Sequence, residues 1–175
     1  MSSARSRSTH PDAVDVIIDQ WKRELPELAS ENMALIGRLR RCSILLAPRL
    51  DEVFAAHDLS NGAFDVLATL RRAGAPYILT PTELFASLMV TSGTMTTRLQ
   101  NVQKRGWVER IPNPDDARSM LVKLTGAGRE LVEKVVFEHV ENERRILEKL
   151  PAETRRQLDA GLAELMRVLE DAKKS

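Results

Sequence analysis

The sequence predicts a mainly α-helical chain with a small β-hairpin wing: a winged helix-turn-helix whose N- and C-terminal helices form a dimerisation lobe. Three observations predict it. Two short helical patterns joined by a very short turn run from Thr80 to Gln103, a charged hairpin follows to Thr125, and wide apolar stripes lie at both ends of the chain. A helix that enters a major groove must be short, polar on its outer face and small at its leading end, and the stretch from Thr91 to Gln103 meets all three conditions.

Each element follows from local pattern. Residues 1–12 are polar and small with Pro11, a composition that predicts a flexible tail. From Ala13 to Leu25, Val14, Ile17, Ile18, Trp21 and Leu25 make one helical stripe ending before Pro26. Glu31 to His57 repeats the pattern with Met33, Ile36, Leu39, Leu46, Leu50, Val53 and Phe54, and Pro48 is expected to kink or divide that helix. Asn61 to Ala73 is a third helix with Phe64, Val66, Leu67 and Leu70 inward and Gly74 as its stop.

Thr80, Pro81 and Glu83 spell a capping box with proline at the first helical position, and Thr91 with Ser92 is expected to cap the helix that follows. Trp107 to Pro112 and Ser119 to Thr125 favour strands around the turn-forming Asn113-Pro114-Asp115-Asp116. Beyond Gly126 and Gly128 the chain reads as helix almost to its end. One stripe runs from Leu131 to Leu150, and another beyond Pro151 holds Leu158, Leu162, Leu165, Met166 and Leu169. The organisation is therefore a tail (1–12), N-terminal helices of the dimerisation lobe (13–57), a winged helix-turn-helix DNA-binding domain (58–128) and C-terminal dimerisation helices (129–175).

Composition narrows the function classes. With 43% hydrophobic residues in 175, the chain has material for a core. The net charge is only +1, yet it is unevenly spread. Residues 80–129 carry seven Lys or Arg against four Asp or Glu, whereas residues 130–175 carry nine against eleven, so the positive surplus sits on the expected reader. The single cysteine, Cys42, excludes an internal disulfide and a thiolate zinc cluster, and no membrane-length apolar run or signal-type segment is seen; a cytoplasmic protein with no membrane partner is expected. His10, His57 and His139 have no metal-ligand spacing, so neither a metal nor a cofactor is expected. His139 reads as an interface or surface residue, and Cys42, on an apolar-rich helix, as an inert core residue, with a redox switch as the alternative. With no phosphate loop, nucleophile elbow or paired carboxylates, the sequence does not read as an enzyme.

On the reader helix, Thr91, Ser92, Thr94, Thr96, Thr97 and Gln100 are candidates for bonds to phosphates or base edges, the alternative for each being a cap or a solvated face. Lys104, near the helix end with Arg105, is a candidate phosphate anchor.

From about Ala34 onward these residues resemble the MarR family of winged helix-turn-helix regulators. Asp116, Arg118, Leu124, Thr125 and Gly128 match that family's wing tip and the strand end behind it. The resemblance implies a homodimer on a pseudo-palindromic double-stranded operator, with each recognition helix in a major groove and Arg118 in a neighbouring minor groove. Asp116 would hold the Arg118 guanidinium by a bidentate bond. Asp115 and Ala117 stand where many relatives have arginines, making this wing less cationic.

Trp21, Asp65 in the stretch FDVLATLRRAG, Arg98 and Arg110 further resemble the ligand-associated residues of the family's urate-responsive branch, which also carries an additional N-terminal helix. This implies a repressor released by a small aromatic anion such as urate or another purine, stacked on Trp21 and bonded by Arg98 or Arg110. Asp65 would pair with an arginine of the reader and give up that pairing on ligand binding. Taken singly, Trp21 reads as core, Asp65 with Arg98 as a structural ion pair, and Arg110 as a surface charge. Phenolic ligands, a constitutive repressor and a winged-helix module for protein contacts remain the competing readings.

Overall fold

The computed structural model describes residues 11–88 and 95–172. The chain forms two compact units, one up to Arg49 and one from Leu50 onward. In the first, α1 (Ala13–Glu24) starts at an Asp12 capping box in which the Asp12 carboxylate accepts from the Val14 and Asp15 amides. It meets α2 (Glu31–Ala55) through Val14, whose Cγ1 lies 3.1 Å from where a Cβ on Gly37 would stand. Arg38 on α2 pairs with both Asp12 and Asp15 and holds their carboxyls below the ordinary carboxylate value. Pro48 neither ends nor divides α2, which continues as one element through it. Of the predicted α1 stripe only Val14 and Ile18 are buried, while Ile17, Trp21 and Leu25 stay exposed.

The second unit holds the core. Ser60 caps α3 (Asn61–Arg72), whose Phe64, Val66, Leu67 and Leu70 are all buried. Gly74 at φ +84° ends the helix in the left-handed region that only glycine adopts freely. The Thr80 and Glu83 capping box opens α4 (Pro81–Ser87) with Pro81 in its first turn, and α5 (Met95–Lys104) packs Leu99 and Val102 into the core against α3.

Strands β2 (Val108–Asn113) and β3 (Asp116–Leu124) form the hairpin, in register Val108 with Leu124 and Ile111 with Leu121. They run closer to the tip than the sequence suggested, which shortens the turn to Pro114 and Asp115. A two-residue strand the sequence does not announce, β1 (Ile78–Leu79), pairs antiparallel with β3, giving the order β1-β3-β2. Thr125 caps α6 (Gly126–Leu147) by accepting from the Gly128 amide while its hydroxyl donates to the Gly106 carbonyl. Gly128 is required by close approach, because a Cβ there would strike the Trp107 carbonyl oxygen.

Val132 and Val135 of α6 complete the core. His139 of α6 is half-buried beside it: its ring centroid lies 5.0 Å from that of Phe54 and 5.2 Å from that of Phe64, while its Nε2 stands 3.2 Å from a Glu143 carboxylate oxygen. The last helix, α7 (Ala152–Asp171), buries none of its residues.

Candidate nucleic-acid interface and effector site

The inward face of α5 is Leu99 and Val102, with Arg98 half-buried beside them. Thr96, Thr97, Gln100 and Lys104 are exposed on the rest of the helix. This two-sidedness follows from the sequence, since polar residues occupy positions 96, 97, 100, 101, 103 and 104 while Leu99 and Val102 share the other side. Thr91, Ser92 and Thr94, the first of the predicted contact residues, lie outside the described residues. At the far end, Lys104 is exposed, while the Arg105 guanidinium lies over the Trp107 ring, 4.9 Å from its centroid. These side chains, with Asp58, Ser60, Ala63 and Asn101, line a cleft of about 490 Å³.

At the wing tip Asp116 and Arg118 are both exposed. Asp116 does not make the expected bidentate bond to the guanidinium. Its Oδ1 accepts from the Arg118 backbone amide at 3.0 Å, and its carbonyl accepts from Ser119 Oγ at 3.1 Å. The reason is local: a short carboxylate two residues before a backbone N–H closes an Asx-type turn more readily than it reaches a long side chain. Asn113 supports the same turn through the Asp115 amide and the Ser119 hydroxyl. The wing is thus shaped by its acidic and amide side chains, and Arg118 projects from it.

The structure brings together two of the four effector candidates. Arg98 Nη1 on α5 stands 3.7 Å from Asp65 Oδ2 on α3, an ion pair too long to be a hydrogen bond. That Nη1 is buried and has no hydrogen-bond partner. Burial pushes the Asp65 carboxyl above its ordinary value, against the pull of Arg98, then Arg72, then His139. Arg72 is itself engaged, donating to the Ser87 carbonyl at 2.6 Å and so tying α3 to the end of α4.

Arg98 lines a cavity of about 410 Å³ with Asp51, Ala55, Leu59, Ser60, Asn61 and Gly62. Gly62 went unread in the sequence; its only signal was a glycine in the first turn of an amphipathic helix, where glycine is a poor choice. Arg110 is an exposed residue of β2 opposite Val122. Trp21 belongs to α1 of the first unit and is 39% exposed, so it is not the core residue that its stripe alone would make it. Cys42 is also exposed, correcting the expectation of a core thiol: among the described residues no other element covers this stretch of α2, where Ile44 and Leu45 are exposed as well.

Among the described residues, no group of three or more His, Cys, Asp or Glu side chains is placed to hold a metal ion. No described helix is long and apolar enough to cross a membrane.

Comparison with known proteins agrees with this geometry. A model of the MarR family matches residues 57–119, the span from the end of α2 to the wing. The transcriptional regulator PecS of Dickeya dadantii is 44% identical over 149 residues, covering 85% of this chain and 90% of that protein. The multiple antibiotic resistance protein MarR of Escherichia coli is 40% identical over 85 residues, 49% of this chain and 57% of its own. Among solved structures, a cysteine-to-serine mutant of Escherichia coli MarR complexed with operator DNA superposes with a TM-score of 0.67 at 30% identity, over 79% of this chain and 99% of that one. A MarR-like transcription regulator from Bacillus cereus gives 0.72 at 26% identity, over 81% and 99%. These relatives are regulators and not enzymes. With its two-sided α5, its wing and this degree of identity, the chain belongs to the MarR family and is a DNA-binding winged-helix transcriptional regulator.

Proposed function

We propose that the protein is a homodimeric repressor that leaves its operator when a small aromatic anion, urate or another purine, binds beside the recognition helix. The observation that carries this reading is the Asp65 and Arg98 pair. It places on α5 a guanidinium with an unused buried N–H, on the same helix whose opposite side offers Thr96, Thr97 and Gln100. An anion competing for Arg98 is repelled by the Asp65 carboxylate, so binding trades one partner of the arginine for another and shifts α5 against α3. The exposed indole of Trp21 offers a stacking surface for a planar ring, and Arg110 a second cation.

On the DNA side, Thr91, Ser92, Thr94, Thr96, Thr97 and Gln100 face the major groove in this reading. Lys104 anchors a phosphate, and Arg118, on a turn shaped by Asp116, enters the minor groove. A second copy of the chain covers α7, whose Leu158, Leu162, Met166, Val168 and Leu169 are 44–59% exposed, and this sets the two readers on a pseudo-palindromic operator. The test is a thermal-shift series with urate, xanthine and salicylate. Urate or xanthine raises the melting temperature of the wild-type protein, and Trp21→Phe combined with Arg98→Ala abolishes the rise. Absence of a shift with every purine sinks the effector assignment.

A further inference from the structure

Gly62 is the second residue of α3, and its backbone does not lie in the left-handed region that calls for glycine, unlike Gly74 and Gly106. In a helix, alanine would be the better residue. What the glycine supplies is room. A Cβ at position 62 would stand 2.6 Å from Cζ and 2.8 Å from Cδ of Arg98, with Nε nearer still, distances at which the guanidinium must move. The side chain of Arg98 therefore crosses the first turn of α3 where a methyl group would otherwise be. From that seat its Nη1 comes within 3.7 Å of Asp65, one turn further along the same helix.

We infer that Gly62 is a positioning residue for the response to the effector: its missing side chain seats the Arg98 guanidinium over α3, in reach of Asp65 and at the wall of the 410 Å³ cavity. Any side chain at 62 lifts the guanidinium away, breaks its pairing with Asp65 and uncouples α5 from that part of α3. The regulatory meaning of the seat rests on the proposed effector reading, whereas the seat itself can be tested without a ligand.

The experiment is a carbon-13 NMR titration of the Asp65 side-chain carboxyl in the full chain, comparing wild type, Gly62→Ala, Gly62→Ser and Arg98→Gln. The groups facing Asp65 are Arg98 from α5, Arg72 from its own helix and His139 from α6, and the last two are kept in every variant. Losing the guanidinium in Arg98→Gln is expected to tighten proton binding at Asp65 by about threefold or more, and both Gly62 variants should move in the same direction by most of that amount. Alanine and serine both suit the first turn of a helix, so the variants fold.

A Gly62→Ala carboxyl that titrates as in wild type overturns the inference, as does an Arg98→Gln carboxyl that does not move. Release of labelled operator by urate separates the two proposals. A wild type that ignores urate defeats the effector reading while the titration still decides the seat. A responsive wild type matched by an equally responsive Gly62→Ala with unchanged titration defeats the seat alone.

Discussion

Two helices of this protein carry apolar stripes and meet opposite fates. On α3, Phe64, Val66, Leu67 and Leu70 vanish into the core, whereas on α7, Leu158, Leu162, Met166 and Leu169 stay about half exposed. The stripes themselves do not differ in kind. What differs is that α5, α6 and β3 lie against α3, while α7 buries nothing. An apolar period fixes which face of a helix must be covered and leaves open what covers it, within the chain or from another chain. Helix α5 stands between the two cases, with one side in the core and the other given over to hydroxyls, amides and Lys104.

The sharpest way to break the comparison is to cut one leucine from each helix. Leu67→Ala, at a fully buried site, should cost about 2–5 kcal/mol of folding stability, read by chemical denaturation. Leu162→Ala should cost far less in a dilute sample, because its side chain is 44% exposed. Equal losses would mean that α7 is already covered within one chain.

Charging the exposed face asks what covers it. Leu162→Arg with Met166→Arg should leave the far-ultraviolet circular dichroism intact and reduce the sedimenting species to a single chain. If both variant and parent sediment alike, the second copy does not sit on α7.

Arg118→Ala probes the exposed wing and should weaken operator binding by about 1–3 kcal/mol and flatten its salt dependence, measured by anisotropy across a salt series. Unchanged binding would remove Arg118 from the interface.

The smallest effect belongs to the charged outer face of α6. Arg144, with Arg145, holds the Glu141 carboxyl down to about 2. A depressed carboxyl adds stability above its ordinary value of 4.5, and that stability is lost as pH falls through about 2. Glu141→Gln should erase this slope in acid titrations at low salt and change little at neutral pH, since the pairs are exposed and screened.

Much of the fold was legible because its signals are local. The Thr80 and Glu83 box, the α3 stripe and the glycine stop at 74 each lie within a few residues of what they determine. Strand β1 was not legible, since two residues have no period and exist as a strand only because β3, more than forty positions on, pairs with them. The stacking of His139 on Phe54 and Phe64 was not legible for a similar reason, as nothing beside it in sequence announces those rings.

At the site, the polar side of the reader was legible from composition alone. The meeting of Asp65 with Arg98 was expected from the family resemblance, with a plain structural ion pair as the alternative, and it depends on how α3 and α5 cross. Gly62 was beyond reach, because a glycine whose use is to leave space is identified only when its neighbour is in place.

Within this account, the recognition helix carries part of its own off-signal through Arg98. The most direct measurement is fluorescence anisotropy of labelled operator bound to wild type and to Arg98→Gln as urate is added. The account predicts that urate frees DNA from the wild type while Arg98→Gln binds DNA and holds it at the same urate concentrations. Equal release from both proteins, or none from the wild type, would contradict it.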